Sequence, residues 1–164
     1  MRRMHKYYER PRRPWDRLRI EEERQLMNEY GLRRKHEIWR MQEILRNFRR
    51  QARALAAKPS ETDKKDILLG KLNRLGLLPA NASLDDVLAL DIKNIFERRL
   101  QTLVWRKGMA TTPKQARQFI VHGHVKVNNR VVKWPSALIP AELENKISCS
   151  CRPLSPAQKQ EGNA

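Results

Sequence analysis

The stretch that decides the fold runs from residue 99 to residue 134 and reads RLQTLVWRKGMATTPKQARQFIVHGHVKVNNRVVKW. It contains eight lysines and arginines and no acidic residue. Gly108 and Gly123 stand where helices typically end, and Thr112 followed by Pro113 is typical of a helix start. The order of these signals predicts two helices joined by a tight turn and followed by two strands.

The local signals within this stretch make the prediction more detailed. Thr112 is expected to cap the second helix, with Gln115 completing a capping box, and Ala116, Phe119 and Ile120 are expected to face inward. Alternation of polar and apolar residues over 124–128 predicts a half-buried strand. The asparagines at 128 and 129 tolerate positive φ, which favours a tight turn into a return strand over 130–133. Basic side chains and the free N–H groups of the second helix would then be available to phosphate.

Upstream of this stretch, the sequence predicts a helical first domain. Gly31 ends a short helix over 17–30, and a long helix follows over 35–57. Apolar residues recur along the long helix at spacings of three and four: Ile38, Met41, Leu45, Phe48, Ala52 and Leu55. A helix from Ser60 to Leu75, a short one over 84–90 and one over 92–107 complete the domain. Ser60 with Asp63 and Ser83 with Asp86 have capping-box spacing, and Asp91 is expected to cap the last helix.

Arginines form a second face on the long helix, about 130° from the apolar one. This face contains Arg46, Arg49, Arg50 and Arg53, and the sequence suggests no acidic partners for it. Solvated helix faces usually mix charges of both signs, so the pattern favours RNA contact over a simple solvated surface. Residues 1–16 combine arginine, proline and aromatic residues, which predicts an extended basic arm that orders on RNA.

Charge and composition restrict the class of protein. The formal net charge is +17, from 35 Lys plus Arg against 18 Asp plus Glu. Residues 1–58 carry +10, residues 59–98 carry −1 and residues 99–164 carry +8, so two basic regions flank a near-neutral centre. An excess of this size favours a polyanionic partner, with nucleic acid first and a membrane surface second. No apolar run approaches the roughly 20 residues that span a bilayer, and no secretory signal is recognisable.

The cysteines are Cys149 and Cys151 alone, which fits a reducing cytoplasm and provides no disulfide framework. A closed structural zinc site needs four ligands, so two thiolates predict no metal site, and no cofactor is expected.

The predicted fold class is α+β, with a mostly helical N-terminal domain before a small helix-turn-helix and β-hairpin domain. The predicted divisions are a basic arm at 1–16, a helical RNA-binding domain at 17–98, the smaller RNA-binding domain at 99–150 and a flexible tail at 151–164.

Several runs of residues resemble one family. They are ERRLQTLV at 97–104, KGMA at 107–110, KQARQFIVHGHV at 114–125, VNNR at 127–130 and PS at 135–136. These runs closely resemble the RNA-binding domain of the small-subunit ribosomal protein S-four family, in its archaeal and eukaryotic form. The resemblance extends upstream through RRPW at 12–15, YGL at 30–32, EIWR at 37–40 and FRRQAR at 48–53. It covers residues of about 2–150.

The resemblance implies a structural constituent of the small ribosomal subunit, in the cytoplasm, that binds small-subunit rRNA directly and nucleates assembly of its 5′ domain. It implies a position near the channel through which mRNA enters, beside the S-three and S-five proteins. Gln101 and Asn129 depart from the wider family, which often has Asp and Gly there. The cysteine cluster that binds zinc in bacterial relatives cannot exist here, because residues 1–148 contain no cysteine.

The residues predicted to contact RNA are basic or polar residues of the arm, the long helix and the second domain. They are Arg2, Arg3, Arg10, Arg12, Arg13, Arg46, Arg49, Arg50, Arg53, Arg99, Arg106, Lys107, Thr112, Lys114, Gln115, Arg117, His122, His124, Lys126 and Arg130.

The sequence leaves three alternatives to a resident ribosomal protein open. RNA pseudouridine synthases and some aminoacyl-tRNA synthetases carry a similar basic domain, but they need a catalytic domain, and residues 1–90 are short, helical and rich in arginine. No catalytic residues are therefore expected. A free RNA-binding stress or ribosome-quality-control factor would cycle on and off subunits. A basic amphipathic membrane binder is disfavoured by polar, capped helices.

Overall fold

The structure is a computed structural model that describes residues 7–58 and 62–150. The chain divides into two compact units, Met1–Phe96 and Glu97–Ala164. Helices dominate, and one three-stranded antiparallel sheet accompanies them, so the predicted α+β class is confirmed. Across these described ranges, no helix combines the length and apolarity needed to cross a bilayer.

The first unit is built from helices. They are α1 (Arg17–Glu29), α2 (Lys35–Ala56), α3 (Thr62–Arg74), α4 (Leu84–Ala89) and α5 (Ile92–Glu97). The apolar stripe of α2 is buried as predicted, except that Leu55 is only half-buried. Leu68 and Leu72 of α3, Val87 of α4 and Phe96 of α5 are also buried in this unit. Burial of these side chains provides the main driving force for its folding.

Local end signals in the first unit match the sequence. Gly31 has φ of 58°, and Leu32 N–H donates to the Met27 carbonyl at 2.9 Å, which together form a glycine-terminated helix end. Ser83 and Asp86 form the predicted capping box at the start of α4. Their hydrogen bonds, from the Ser83 backbone and then its hydroxyl, lower the pKa of Asp86. The box predicted at Ser60 lies outside the described residues.

The single helix predicted over 92–107 is wrong. Arg99 is extended, with ψ of 141°, and separates α5 from α6 (Leu100–Arg106). The helix is interrupted by hydrogen bonds to a segment that is distant in sequence. Leu100 N–H donates to the Ala137 carbonyl at 2.8 Å, and Ile139 N–H donates to the Arg98 carbonyl at 3.0 Å. These bonds satisfy backbone groups that a continuous helix would have paired internally.

The second unit contains α6, α7 (Pro113–Val121), β1 (Val125–Val127), β2 (Arg130–Val131), α8 (Ala141–Glu144) and β3 (Ile147–Cys149). The strand order is β2-β1-β3, and both pairings are antiparallel. Its core joins the helices to the inner side of the sheet through Leu100, Val104, Ile120, Val125 and Ile147. Asn128 and Asn129 form the predicted turn, with φ of 48° and 63°.

Four details of the second unit differ from the prediction. α8 and β3 were not expected from the sequence, and the return strand ends at Val131 instead of Lys133. Gln115 does not complete a capping box with Thr112, because its side-chain oxygen accepts hydrogen bonds from the Thr111 N–H and hydroxyl at 2.8 and 2.6 Å. Thr112 itself caps α7 as predicted, since its hydroxyl accepts from Gln115 N–H at 3.2 Å.

Candidate nucleic-acid interface

The basic arm of the first unit is hydrogen-bonded to α1 at Arg13 and Pro14. Arg19 donates hydrogen bonds from Nη2 to the carbonyls of Arg13 and Pro14, at 2.9 and 2.8 Å. Arg10, Arg12 and Arg13 are exposed along this segment. Part of the arm is therefore held in place while its guanidinium groups remain accessible. Arg2 and Arg3 lie outside the described residues.

The α2 arginine face consists of Arg46, Arg49, Arg50 and Arg53. Three of these, all but Arg50, line a cavity of about 500 Å³ together with Gln42, Leu45, Asp91 and Ile92. Residues three or four apart on a helix lie on one side, which explains why they meet at one opening. The cavity thus concentrates three guanidinium groups around a single carboxylate.

The α2 arginine face has more partners than its sequence suggests. Arg46 pairs with Glu9 at 2.9 Å and with Glu43 at 2.8 Å, so the expectation that the face lacks acidic partners is wrong there. Both pairs are exposed, and exposed pairs contribute only about 0–1 kcal/mol, so a phosphate can compete for Arg46. Arg49 donates from Nη2 to the Leu90 carbonyl at 2.5 Å, while its buried Nε has no acceptor among the described residues. Arg50 donates to Asn47.

In the second unit, the start of α7 places the positive end of a helix beside basic side chains. Pro113, at the first helical position, has no N–H, and the Gln115 N–H donates to the Thr112 hydroxyl, so the Lys114 N–H is the backbone donor left in the first turn. Lys114 is exposed in the first turn, and Arg117, one turn later, is half-buried. A helix start with adjacent positive charge is a favourable place for a phosphate.

The outer side of the sheet, together with the turn between β1 and β2, forms a second basic surface, the hairpin face. Lys126 stands opposite Val131 on β2 and Ser148 on β3, and all three side chains are exposed. Directly paired residues point to the same side of a sheet, so Lys126 lies at the centre of this face. Arg130, at the end of the turn, is also exposed.

The two histidines stack where α7 meets the hairpin. The ring centroids of His122 and His124 are 6.2 Å apart, with 11° between their planes, and His124 meets Phe119 edge-on at 6.3 Å. His122 is exposed and His124 is half-buried. The pair therefore provides a flat, partly accessible ring surface between the helix and the hairpin face.

Three basic side chains that were predicted to contact RNA are buried in the second unit or bonded to other residues of it. Arg99 is 1% exposed, so its side chain does not belong to the accessible surface. Arg106 forms a bidentate ion pair with Glu97, with N–O distances of 3.2 and 2.9 Å. Its Cζ also lies 4.7 Å from the centroid of the Trp105 ring. Lys107 donates to the Glu144 carbonyl. These contacts stabilise the unit and leave less of each side chain for RNA.

Gln101, where the wider family often has Asp, is also structural. It is buried, and its Nε2 donates to the Pro113 carbonyl at 3.0 Å. This hydrogen bond joins α6 to the start of α7 and holds the basic helix end against the core. A neutral amide makes this bond without placing a charge in the interior.

Sequence reasoning missed two exposed residues that follow the hairpin. Lys133 is exposed, and its Cε lies 3.4 Å from where a Cβ on Gly123 would stand, as does Cγ1 of Val131. Trp134 follows and is 70% exposed. A basic residue beside an exposed aromatic one at the end of a predicted strand was the available signal.

Among residues 7–58 and 62–150, no three His, Cys, Asp or Glu side chains cluster as a metal site would require. Cys149 is a half-buried free thiol, and Cys151 lies outside the described residues. The site is therefore described by its cations, backbone donors and rings.

The fold and this basic surface define a class of RNA-binding protein: the S4 domain model matches residues 98–144, which include α6, α7, β1 and β2. The small ribosomal subunit protein uS4 of Picrophilus torridus is 54% identical over 148 residues, covering 87% of this chain and 81% of that relative. The same protein of Methanococcus aeolicus is 55% identical over 150 residues, covering 90% and 85%. That of Korarchaeum cryptofilum is 49% identical over 150 residues, covering 91% and 90%.

The chain belongs to the small ribosomal subunit protein uS4 family. The predicted resemblance is thereby confirmed, and so is the prediction that the chain is a structural ribosomal protein and not an enzyme. The predicted location in the cytoplasm, within the ribosome, follows from this membership.

Proposed function

We propose that the chain binds small-subunit rRNA directly and nucleates assembly of the 5′ domain of the subunit. In this proposal the α2 arginine face and the arm hold one part of the RNA, and the start of α7 with the hairpin face holds another. The chain then lies near the channel through which mRNA enters, in contact with mRNA and with the S-three and S-five proteins. The proposed divisions remain 1–16, 17–98, 99–150 and 151–164.

The observation that carries the proposal is the set of free cations on the second unit. Lys114, Lys126, Arg130 and Lys133 are exposed, and within the described part of the chain none of them forms an ion pair. The stretch 99–134 contains no acidic residue that could pair with them. Cations without protein partners release counterions from RNA most effectively, because no internal pair has to be broken first.

The geometry suits recognition of folded RNA better than recognition of a particular base sequence. The basic groups lie on rigid elements, namely a capped helix end, a hairpin and the side of a 22-residue helix. Helical RNA is recognised mainly through its shape, its phosphates and its 2′-hydroxyl groups. The residues predicted to contact RNA, other than the buried Arg99, therefore remain our proposed contacts, with Lys133 added to them.

The test is salt-dependent binding of the full chain to the isolated 5′ domain of small-subunit rRNA, against a scrambled RNA of equal length. We expect Lys126→Ala to weaken binding to the 5′ domain and to reduce the slope of log K against log salt by about 1. Lys65→Ala is the matched control, since Lys65 is an exposed lysine of α3 outside the proposed interface. Equal affinity for both RNAs at every salt concentration would refute specific binding and favour a non-resident factor.

A further inference from the structure

A second cavity lies in the first unit, apart from the α2 arginine face. It has a volume of about 530 Å³ and is lined by Tyr8, Arg10, Pro11, Pro14, Arg19, Lys35, His36 and Trp39. Small-ligand pockets typically measure about 300–1,000 Å³, so this one, the Tyr8 cavity, has room for a single small organic group. Sequence reasoning did not find it, because the arm and the starts of α1 and α2 form it together.

Aromatic rings form one wall of the Tyr8 cavity. The Tyr8 ring lies 5.9 Å from His36, with 25° between the planes, and 5.9 Å from Trp39, with 41° between them. All three rings are half-buried, so each keeps part of its surface accessible. A planar aromatic ligand can extend such a stack without displacing it.

Cations form another part of the lining. Arg10 is exposed and, among the described residues, has no ion-pair partner. Lys35 has one partner, Glu23, at 3.2 Å, and its side chain is 42% exposed. Lys35 also belongs to the first turn of α2, where the helix dipole favours a negative group. An anion entering the cavity would therefore meet one free cation and one partly solvated cation.

Three residues that line the Tyr8 cavity, Arg19, Lys35 and Trp39, are held by the carboxylate of Glu23 before any ligand arrives. Glu23 is buried and accepts hydrogen bonds from Trp39 Nε1 at 2.8 Å and from Arg19 at 2.6 Å. Burial acts to raise the pKa of Glu23, but the bonds from Trp39, Lys35 and Arg19 outweigh it and hold the pKa below its ordinary value. Arg19 also binds the arm carbonyls described above, so one carboxylate orders both the ring wall and the arm.

We propose that the Tyr8 cavity binds one unstacked nucleotide of the RNA, with its base against the Tyr8 and Trp39 rings and its phosphate near Arg10 and Lys35. Proteins recognise splayed-out bases by this combination of aromatic faces and nearby cations. An aliphatic anion would use the cations and leave the rings without a partner. The inference rests on the proposed rRNA binding and adds a specific site to it.

The test measures affinity of the full chain for the 5′ domain rRNA at fixed salt. We expect Tyr8→Leu, which removes the ring at similar bulk, to weaken binding about fivefold or more, in line with stacking of one base. Tyr8→Phe keeps the ring and should bind within about twofold of the parent chain. Tyr7→Leu is the matched control, because Tyr7 is 70% exposed, lies under Arg40 and does not line the cavity.

A second readout reports on the cavity itself. In a chain with Trp15, Trp105 and Trp134 replaced by Phe, the remaining Trp39 should lose emission intensity when the RNA binds, and Tyr8→Leu should reduce that loss. If the RNA binds specifically but Trp39 emission stays constant and Tyr8→Leu matches Tyr7→Leu, the inference is refuted and the proposed function stands. If the parent chain does not distinguish the rRNA from scrambled RNA, the proposed function itself has failed.

Discussion

Replacing Glu23 by Gln is expected to lower the free energy of unfolding of the first unit by about 3 kcal/mol. Glu23 is 2% exposed and accepts from three donors, those of Trp39, Arg19 and Lys35. Removing one partner of a buried ion pair typically costs about 3–5 kcal/mol. The lower end applies because the Arg19 and Lys35 side chains are 22% and 42% exposed and regain some hydration.

Hydrogen–deuterium exchange at neutral pH measures this loss where it occurs. Amides of α1 and α2 should exchange roughly 150-fold faster in Glu23→Gln, which is 3 kcal/mol expressed as an equilibrium constant. Amides of α7 belong to the other unit and should not change. Glu21→Gln is the control, since the Glu21–Arg17 pair is exposed and should contribute at most about 0.5 kcal/mol. Equal exchange in the two variants would refute the reasoning.

Two further predictions concern acid and the hairpin turn. Because the folded-state pKa of Glu23 lies below its ordinary 4.5, its contribution is complete above about pH 4.5 and is lost as the pH falls through the folded value. Urea unfolding at several pH values should therefore show that the difference in unfolding free energy between the parent chain and Glu23→Gln becomes smaller in acid. A difference that grows in acid would contradict this sign. Asn129 has φ of 63°, so Asn129→Val should lower the unfolding free energy by about 1–2 kcal/mol in thermal melts, while Asn129→Gly should not; equal melts would show that the turn adapts.

The features that the sequence predicted correctly depend on neighbours close along the chain. The helix end at Gly31, the capping box at Ser83 and the asparagine turn all involve residues within about five positions of one another. The apolar stripe of α2 could be predicted because a helix repeats every 3.6 residues regardless of what packs against it. Such signals are complete within the local sequence.

The features that the sequence did not predict require distant partners. The helix break at Arg99 depends on carbonyls near residue 137, and β3 exists only because β1 offers it an edge. No local signal in residues 92–107 or 147–149 indicates these partners. Long-range backbone pairing therefore overrides a local preference that is otherwise strongly helical.

The site was predictable in charge but not in accessibility. Composition and the arginine spacing correctly indicated basic surfaces, yet burial of Arg99 and the pairing of Arg46 with Glu9 depend on tertiary structure. The Tyr8 cavity illustrates the same limit, because Tyr8 and Trp39 lie 31 positions apart in the sequence. A sequence pattern identifies which groups are present, whereas packing decides which of them reach solvent.

The pairing of β3 with β1 has a consequence for how the chain is made. Synthesis proceeds from the N-terminus, so the first unit has all its described helices once residue 97 has emerged. The basic hairpin must wait for Ile147–Cys149 to supply its second neighbour, and α6 must wait for the carbonyls near residue 137. The two units therefore mature in order: a partly made chain presents its first set of cations well before its second.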